Sequence, residues 1–264
     1  MEDLVFRTQV QWSGTGNEGE GQLTIGEEVL PCSSPENMGG KGVGVSPEEL
    51  LIGSVSSCYS GTLFTLLTKI GLPVDRINIS AEGFVSDYPV KTKFSQLILH
   101  PTIIGGDSSK QSDYEEAAAK ARIFCFIGKA IEGNVDYRVG TVHVKELLVR
   151  QGKIDELVEK FYQKLMEQPY FSSMFAERNV SVETLKERQK QFISKLANEN
   201  APDKNHSDIE QMKKRHPFST TPERAEIWLN LMEETMTEIQ LPQATIELLV
   251  GKMNRLMKPL LNES

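Results

Sequence analysis

Apolar and polar residues alternate with a period of two along four stretches of the first half of the chain: LVFRTQVQW, RINISAEGFV, SQLILHPTII and YRVGTVHVKEL. Each is bounded by Gly, Pro, Asp or Ser, so the pattern predicts strands. Between them the apolar positions take a helical period, near Pro47 to Ile70 and near Tyr114 to Ile131. Strands, helix, strands, helix and a last strand read as an α+β fold with a largely antiparallel sheet. After Gln151 every strong pattern is helical. Ile154, Leu157, Val158, Phe161 and Leu165 form one stripe; Ala225, Trp228, Leu229, Met232 and Met236 form a second; Ile246, Leu249, Val250, Met253 and Leu260 form a third. The polar, breaker-rich ANENAPDKNHSDIEQ between them predicts a loop. No repeat is evident, and the periodicity places an α+β domain over 1–148 and an all-α domain over 149–264.

Composition narrows the functions available. A chain of 264 residues exceeds the roughly 150 typical of one domain. Its 39% hydrophobic and 25% charged residues are those of a soluble globular protein. A formal charge of −8, with one short basic cluster at Lys213 to Arg215, argues against nucleic acid as a partner. The alternation leaves no apolar run near the roughly 20 residues of a membrane span, and MEDLVFRTQV does not resemble a secretory signal. A cytoplasmic location and no membrane partner are the expectations. Cys32, Cys58 and Cys125 form no CxxC pair, so neither a disulfide scaffold nor a zinc site is indicated and the thiols themselves are of interest.

The stretch SPEELLIGSVSSCYSGTLFTLL opens with Ser46 as N-cap, Pro47 at the first helical position and Glu49 three after the cap, a capping box. Cys58 lies about three turns in, beyond reach of the helix dipole, and its activation requires a cation or a hydrogen-bond donor from elsewhere. Cys125, in KARIFCFIGKAIEGNV, falls in the second helical segment. A lone helical cysteine is most often a small buried hydrophobe. The two runs together, however, resemble the signature regions of the OsmC/Ohr family of thiol peroxidases, over about residues 1 to 147.

That resemblance implies that Cys58 attacks an organic hydroperoxide and that Cys125 resolves the sulfenic acid as a disulfide, which an external dithiol reduces. It also implies a role for Glu48, after the proline. Ten residues of continuous helix separate Glu48 from Cys58 by about 15 Å, so the family's homodimer is expected to bring residues of two chains together. The family's arginine has no counterpart in PENMGGKGVGV, and Lys41, Arg7 and Arg122 are the alternatives. Cys32 matches neither signature.

His216, in RHPFSTTPERAEIWL, precedes a helix carrying Trp228 and follows a basic cluster, a context that His100, His143 and His206 lack, in an all-helical unit with no other metal-ligand cluster. Most lone histidines are surface residues, and one imidazole is a poor zinc site, but it suffices where a porphyrin supplies four nitrogens. LVEKFYQKLMEQPYFSSMF, LKERQKQFISKL and RHPFSTTPERAEIWLNLM resemble the B helix, E helix and proximal segment of truncated haemoglobins of the second group, a two-over-two helical fold. The resemblance implies haem b with His216 on the iron, and Tyr162, Phe175, Leu185, Gln189 and Trp228 around the haem. Arg215 is implied at a propionate. O2, NO or peroxide would be the haem ligand. The family's Gly-Gly after the E helix is absent, and the His216 to Trp228 spacing is one residue short. The function expected is hydroperoxide reduction coupled to a haem globin in oxidative or nitrosative stress defence; the alternative is a non-catalytic gas or redox sensor.

Overall fold

The computed structural model describes residues 3–177, 181–198 and 221–258. The chain forms two compact units, Met1–Glu146 and Leu147–Ser264.

The first unit is built on two sheets. β1 (Gln9–Ser13), β2 (Glu20–Ile25) and β3 (Glu28–Ser33) form an antiparallel three-stranded sheet. The β2–β3 hairpin, which the alternation did not predict, closes at Gly26, whose φ of 61° is one that glycine tolerates best. β4 (Arg76–Ser86) and β5 (Lys93–Ile104) pair antiparallel, and the short strands β6 (Asp136–Val139) and β7 (His143–Lys145) both run parallel to β5. The expected antiparallel sheet is therefore mixed. The single strand predicted over Tyr137 to Leu147 is two, for a physical reason in β5. β6 pairs with Gln96 to Leu99 and β7 with Thr102 to Ile104, leaving the interruption opposite Pro101, which has no N–H to give a ladder.

α1 (Pro47–Lys69) carries the predicted capping box: Glu49 N–H donates to Ser46 Oγ at 3.2 Å, and Ser46 N–H donates to the Glu49 carboxylate at 2.8 Å. Ser46→Ala is expected to cost about 1 kcal/mol in denaturant unfolding, because both the cap and the reciprocal bond are weakened. Val55, Tyr59, Leu63 and Leu67, four residues apart, form its buried stripe and pack with Leu97, Leu99 and Ile103 of β5. By length and composition α1 is apolar enough to cross a bilayer, which corrects the expectation that no such run exists. Here it is the central helix of the unit. The second predicted helix is broken in two, α2 (Gln111–Phe124) and α3 (Phe126–Ala130), and Cys125 is the break.

The second unit is helical throughout its described residues: α4 (Gln151–Glu167), α5 (Pro169–Glu177), α6 (Val182–Asn198), α7 (Pro222–Glu238) and α8 (Gln243–Met257). α4 is central, packing on α5, α6 and α7, and the predicted stripe Ile154, Leu157, Val158, Phe161, Leu165 is buried in full. In the other two stripes Ala225, Met232, Met236, Ile246, Leu249 and Met253 are buried, Trp228, Leu229 and Val250 partly so, and Leu260 lies outside the described residues. Asn198 ties the end of α6 to the start of the unit by bonds to both backbone groups of Val149, at 3.1 and 2.8 Å.

Lys160 and Lys164 on α4 clamp Glu238 on α7 at 2.8 and 2.9 Å. Hydrogen bonds from Lys160 and then Lys164 hold the Glu238 carboxyl down to about 2. A lowered carboxylate contributes stability above its ordinary value near 4.5 and loses it as pH falls toward 2. Glu238→Gln is thus expected to flatten the fall of the helical unit's thermal midpoint across that window. Added salt reduces the difference, since the pair is solvent-exposed.

Candidate functional site

Cys58 sits midway along α1, half-buried, on the turn before the buried Leu63. Cys125 is fully buried at the junction of α2 and α3, where its extended backbone lets the sulfur cap the following turn: Gly128 N–H donates to Cys125 Sγ at 3.3 Å. The same turn presents Ile127 N–H to Cys58 Sγ at 3.5 Å. Two thiols that are 67 residues apart in sequence thus share one run of backbone donors, and the Cys125 thiol is itself hydrogen-bonded to Cys58. Both are free.

The environment makes the pair unequal. Burial acts to raise the Cys58 thiol, but hydrogen bonds from the Ile127 backbone, the Cys125 thiol, the Phe126 backbone and Thr62 outweigh it, and the net direction is down. For Cys125 burial prevails: it pushes the thiol up, the Gly128 N–H opposes it, and the neighbouring Cys58 adds to the rise. Cys58 therefore ionises first while Cys125 keeps its proton, the order that an attacking thiolate and a second, proton-bearing thiol require. Cys58 also opens to solvent, into a cleft of about 690 Å³ lined by Thr62, Thr65, Leu66, Lys69 and Phe124. Its walls join the apolar Leu66 and Phe124 to the polar Thr62, Thr65 and Lys69.

The donor that the mid-helix position of Cys58 demanded comes from the first turn of α3. The three candidate cations lie elsewhere. Lys41 pairs with Glu20 at 3.3 Å, Arg122 donates to the Tyr137 carbonyl at 3.3 Å, and Arg7 is exposed; no cation is among the main groups shifting Cys58. Glu48 lies in the first turn of the same helix, and its Oε2 is buried without a hydrogen-bond partner. Cys32 is buried in β3 opposite Gly21, in the other sheet. Thr62, one turn after Cys58, and Tyr137 on β6 also belong to the neighbourhood of the thiols. The first was detectable from i, i+4 spacing; the second has no sequence signal, because only the β5–β6 pairing brings it there.

In the helical unit Tyr162 is buried on α4, and burial pushes its phenol up to about 12. Its ring meets Phe161 edge-on with centroids 5.6 Å apart, and Phe161 meets Trp228 at 5.1 Å. Phe175 and Leu185 pack partly buried against the same cluster. Gln189 follows Leu185 by one turn and precedes the buried Ile193 by another, so it interrupts the inward stripe of α6. Its Nε2 is buried with no hydrogen-bond partner. Arg215 and His216 lie outside the described residues. No cluster of three or more His, Cys, Asp or Glu able to hold a metal ion occurs among the described residues.

Residues 39–140 match the family model for OsmC-like protein, and residues 146–262 match that for bacterial-like globin. Protein YmaD of Bacillus subtilis is 29% identical over 142 residues, covering 53% of this chain and 94% of YmaD. Among solved structures, an organic hydroperoxide resistance protein OsmC from Legionella pneumophila is 26% identical, with a TM-score of 0.45, covering 54% of this chain and all of that one. An OsmC-like protein from Mycoplasma pneumoniae is 14% identical, with a TM-score of 0.44, covering 54% of this chain and 99% of that one. The chain thus carries an OsmC-like α+β domain followed by a bacterial-like globin domain.

Proposed function

We propose that the chain is a thiol peroxidase for organic hydroperoxides joined to a haem-binding globin, acting in oxidative or nitrosative stress defence. The observation that carries the reading is the unequal pair: a half-exposed Cys58 whose thiol is lowered, against a buried Cys125 whose thiol is raised. The Cys58 thiolate attacks the distal oxygen of the hydroperoxide, the O–O bond breaks, and the electron pair leaves with the alkoxide, which takes a proton. Cys125 then attacks the sulfenic sulfur, its proton and the hydroxyl depart as water, and a disulfide forms. An external dithiol reduces it, becoming a disulfide itself. Stopped-flow oxidation by cumene hydroperoxide tests this, and slow oxidation unaltered in Cys58→Ser would sink it.

A homodimer completes the site in this reading. β1 is exposed along its whole length, with Trp12 and Val10 open to solvent, and Phe64, Phe124 and Phe126 are exposed around the thiols. A second copy covering these surfaces would bring its Glu48, whose buried Oε2 lacks a partner, to Cys58. Glu48→Gln and Cys58→Ser chains, each inactive alone, are expected to recover part of the activity when unfolded and refolded together. Recovery fails if each site is built from one chain.

The helical unit fits a haem on one feature of its own residues, the buried and unpartnered Gln189 amide on an otherwise apolar inward stripe. A haem b, when bound, supplies an iron able to bind O2 or to turn over NO or peroxide. His216 would hold the iron and Arg215 would pair with a propionate. The Tyr162 phenol, held protonated by burial, the Gln189 amide and the Trp228 indole are hydrogen-bond donors for a partly anionic ligand, while Phe175 and Leu185 exclude water. Tethering sets a high effective concentration of thiol pair near any peroxide generated at the globin. The lack of a cation among the main groups acting on Cys58 favours the second reading, a non-catalytic gas or redox sensor. Rapid hydroperoxide turnover would exclude it.

A further inference from the structure

Tyr137 is 8% exposed, and its buried hydroxyl makes no hydrogen bond of ordinary geometry, the Cys125 sulfur being the group it interacts with. Such a group costs stability unless a state of the protein uses it. Its position says which. A Cβ at Gly128 would lie 2.6 Å from Tyr137 Cε1 and 3.3 Å from Cys125 Sγ, so ring and thiol border the same small gap, kept open by a glycine. Arg122 fixes the tyrosine from the far side, donating to its carbonyl at 3.3 Å and standing 5.9 Å from the ring centroid. Burial, Cys125 and Tyr59 all push the phenol far above its ordinary range, so it keeps its proton and remains a donor.

We propose that Tyr137 is the hydrogen-bond donor that receives the Cys125 thiolate when an external dithiol opens the Cys58–Cys125 disulfide. The inference rests on the thiol pairing proposed above. Cys58 faces the cleft and Cys125 has no exposure, so the reductant's thiolate attacks Cys58 Sγ. The S–S bond breaks and its electron pair goes to Cys125 Sγ. A buried thiolate is a poor leaving group, and leaving-group quality sets the rate of exchange. Gly128 N–H and Tyr137 O–H together stabilise the charge until Cys125 takes up a proton. The second thiol of the reductant then displaces Cys58 from the mixed disulfide, leaving two protein thiols and one oxidised dithiol.

The test uses the full chain, wild type and Tyr137→Phe, with the disulfide set by diamide and opened by dithiothreitol. Opening is expected to slow about tenfold in the variant, the loss of one hydrogen bond to a charged group. The first step of oxidation, attack of Cys58 on cumene hydroperoxide, leaves Cys125 protonated and should change less than about twofold. The thermal midpoint of the reduced protein should change little, because in that state the Tyr137 hydroxyl makes no hydrogen bond of ordinary geometry. Equal opening rates, or a parallel slowing of both steps as in general loosening, overturns the inference. Failure of diamide to link the two cysteines does so too. A chain inert to hydroperoxide but showing the slowed opening overturns the peroxidase reading alone.

Discussion

Cys58→Ser is expected to abolish rapid thiol oxidation by cumene hydroperoxide, lowering the second-order rate at least about a thousandfold, since a hydroxyl at the same position is not ionised and cannot replace the thiolate. Cys125→Ser should behave differently. It retains the Ile127 N–H beside Cys58, so the first oxidation proceeds, slowed by the loss of the Cys125 thiol as a donor. The product then stalls as a sulfenic acid that dimedone traps. Rising pH should speed the wild-type reaction only up to the lowered Cys58 value and leave it flat beyond, because the thiolate is the attacking form. Stopped-flow fluorescence and dimedone labelling of the three chains distinguish these outcomes. A Cys58→Ser chain that turns over hydroperoxide at the wild-type rate would remove the N-terminal site.

His216→Ala is expected to eliminate the Soret band of the haem-supplied full chain, or to reduce haem retention by at least about a hundredfold, because the other histidine of this unit, His206, lies in the polar, breaker-rich stretch of the sequence and lacks the proximal motif around His216. Tyr162→Phe and Gln189→Leu should keep the haem and instead speed ligand dissociation, each by about tenfold, the worth of one hydrogen bond to a polar ligand. Gln189→Leu should also raise the thermal midpoint of the haem-free chain, since it removes an unpaired buried amide from an apolar stripe. Retention of a full Soret band in His216→Ala would transfer the ligand role elsewhere.

What the chain discloses before folding depends on periodicity. α1 was legible to within a residue because Ser46, Pro47 and Glu49 write its start, and α4 because five apolar residues share one face. The β2–β3 hairpin was not, since EGQLTI and EVLPCS bury only Leu23, Cys32 and Ser33 and so lack a sustained alternation. Pro101 splits the last strand through a missing N–H on its neighbour, which no reading of the strand itself can detect. Cys125 looked helical because its flanks are. Instead it breaks the helix, and that break turns two N–H groups toward the sulfurs. The chemistry of the thiols was thus half legible. The residues were named by motif, but their inequality comes from burial and from backbone donors that carry no side-chain signature. Tyr137, reached only through strand pairing, was invisible. In the helical unit Tyr162, Trp228 and Gln189 fall on inward faces, while His216 lies outside the described residues and rests on the sequence.

Peptide mass mapping after one equivalent of cumene hydroperoxide reads directly whether Cys58 and Cys125 form one redox centre driven by hydroperoxide. The expected product is a single linked peptide pair joining Cys58 to Cys125, two hydrogens lighter than the reduced peptides, with Cys32 still alkylatable. Cys125 remaining alkylatable while Cys58 is unmodified, or a linkage through Cys32, would contradict it.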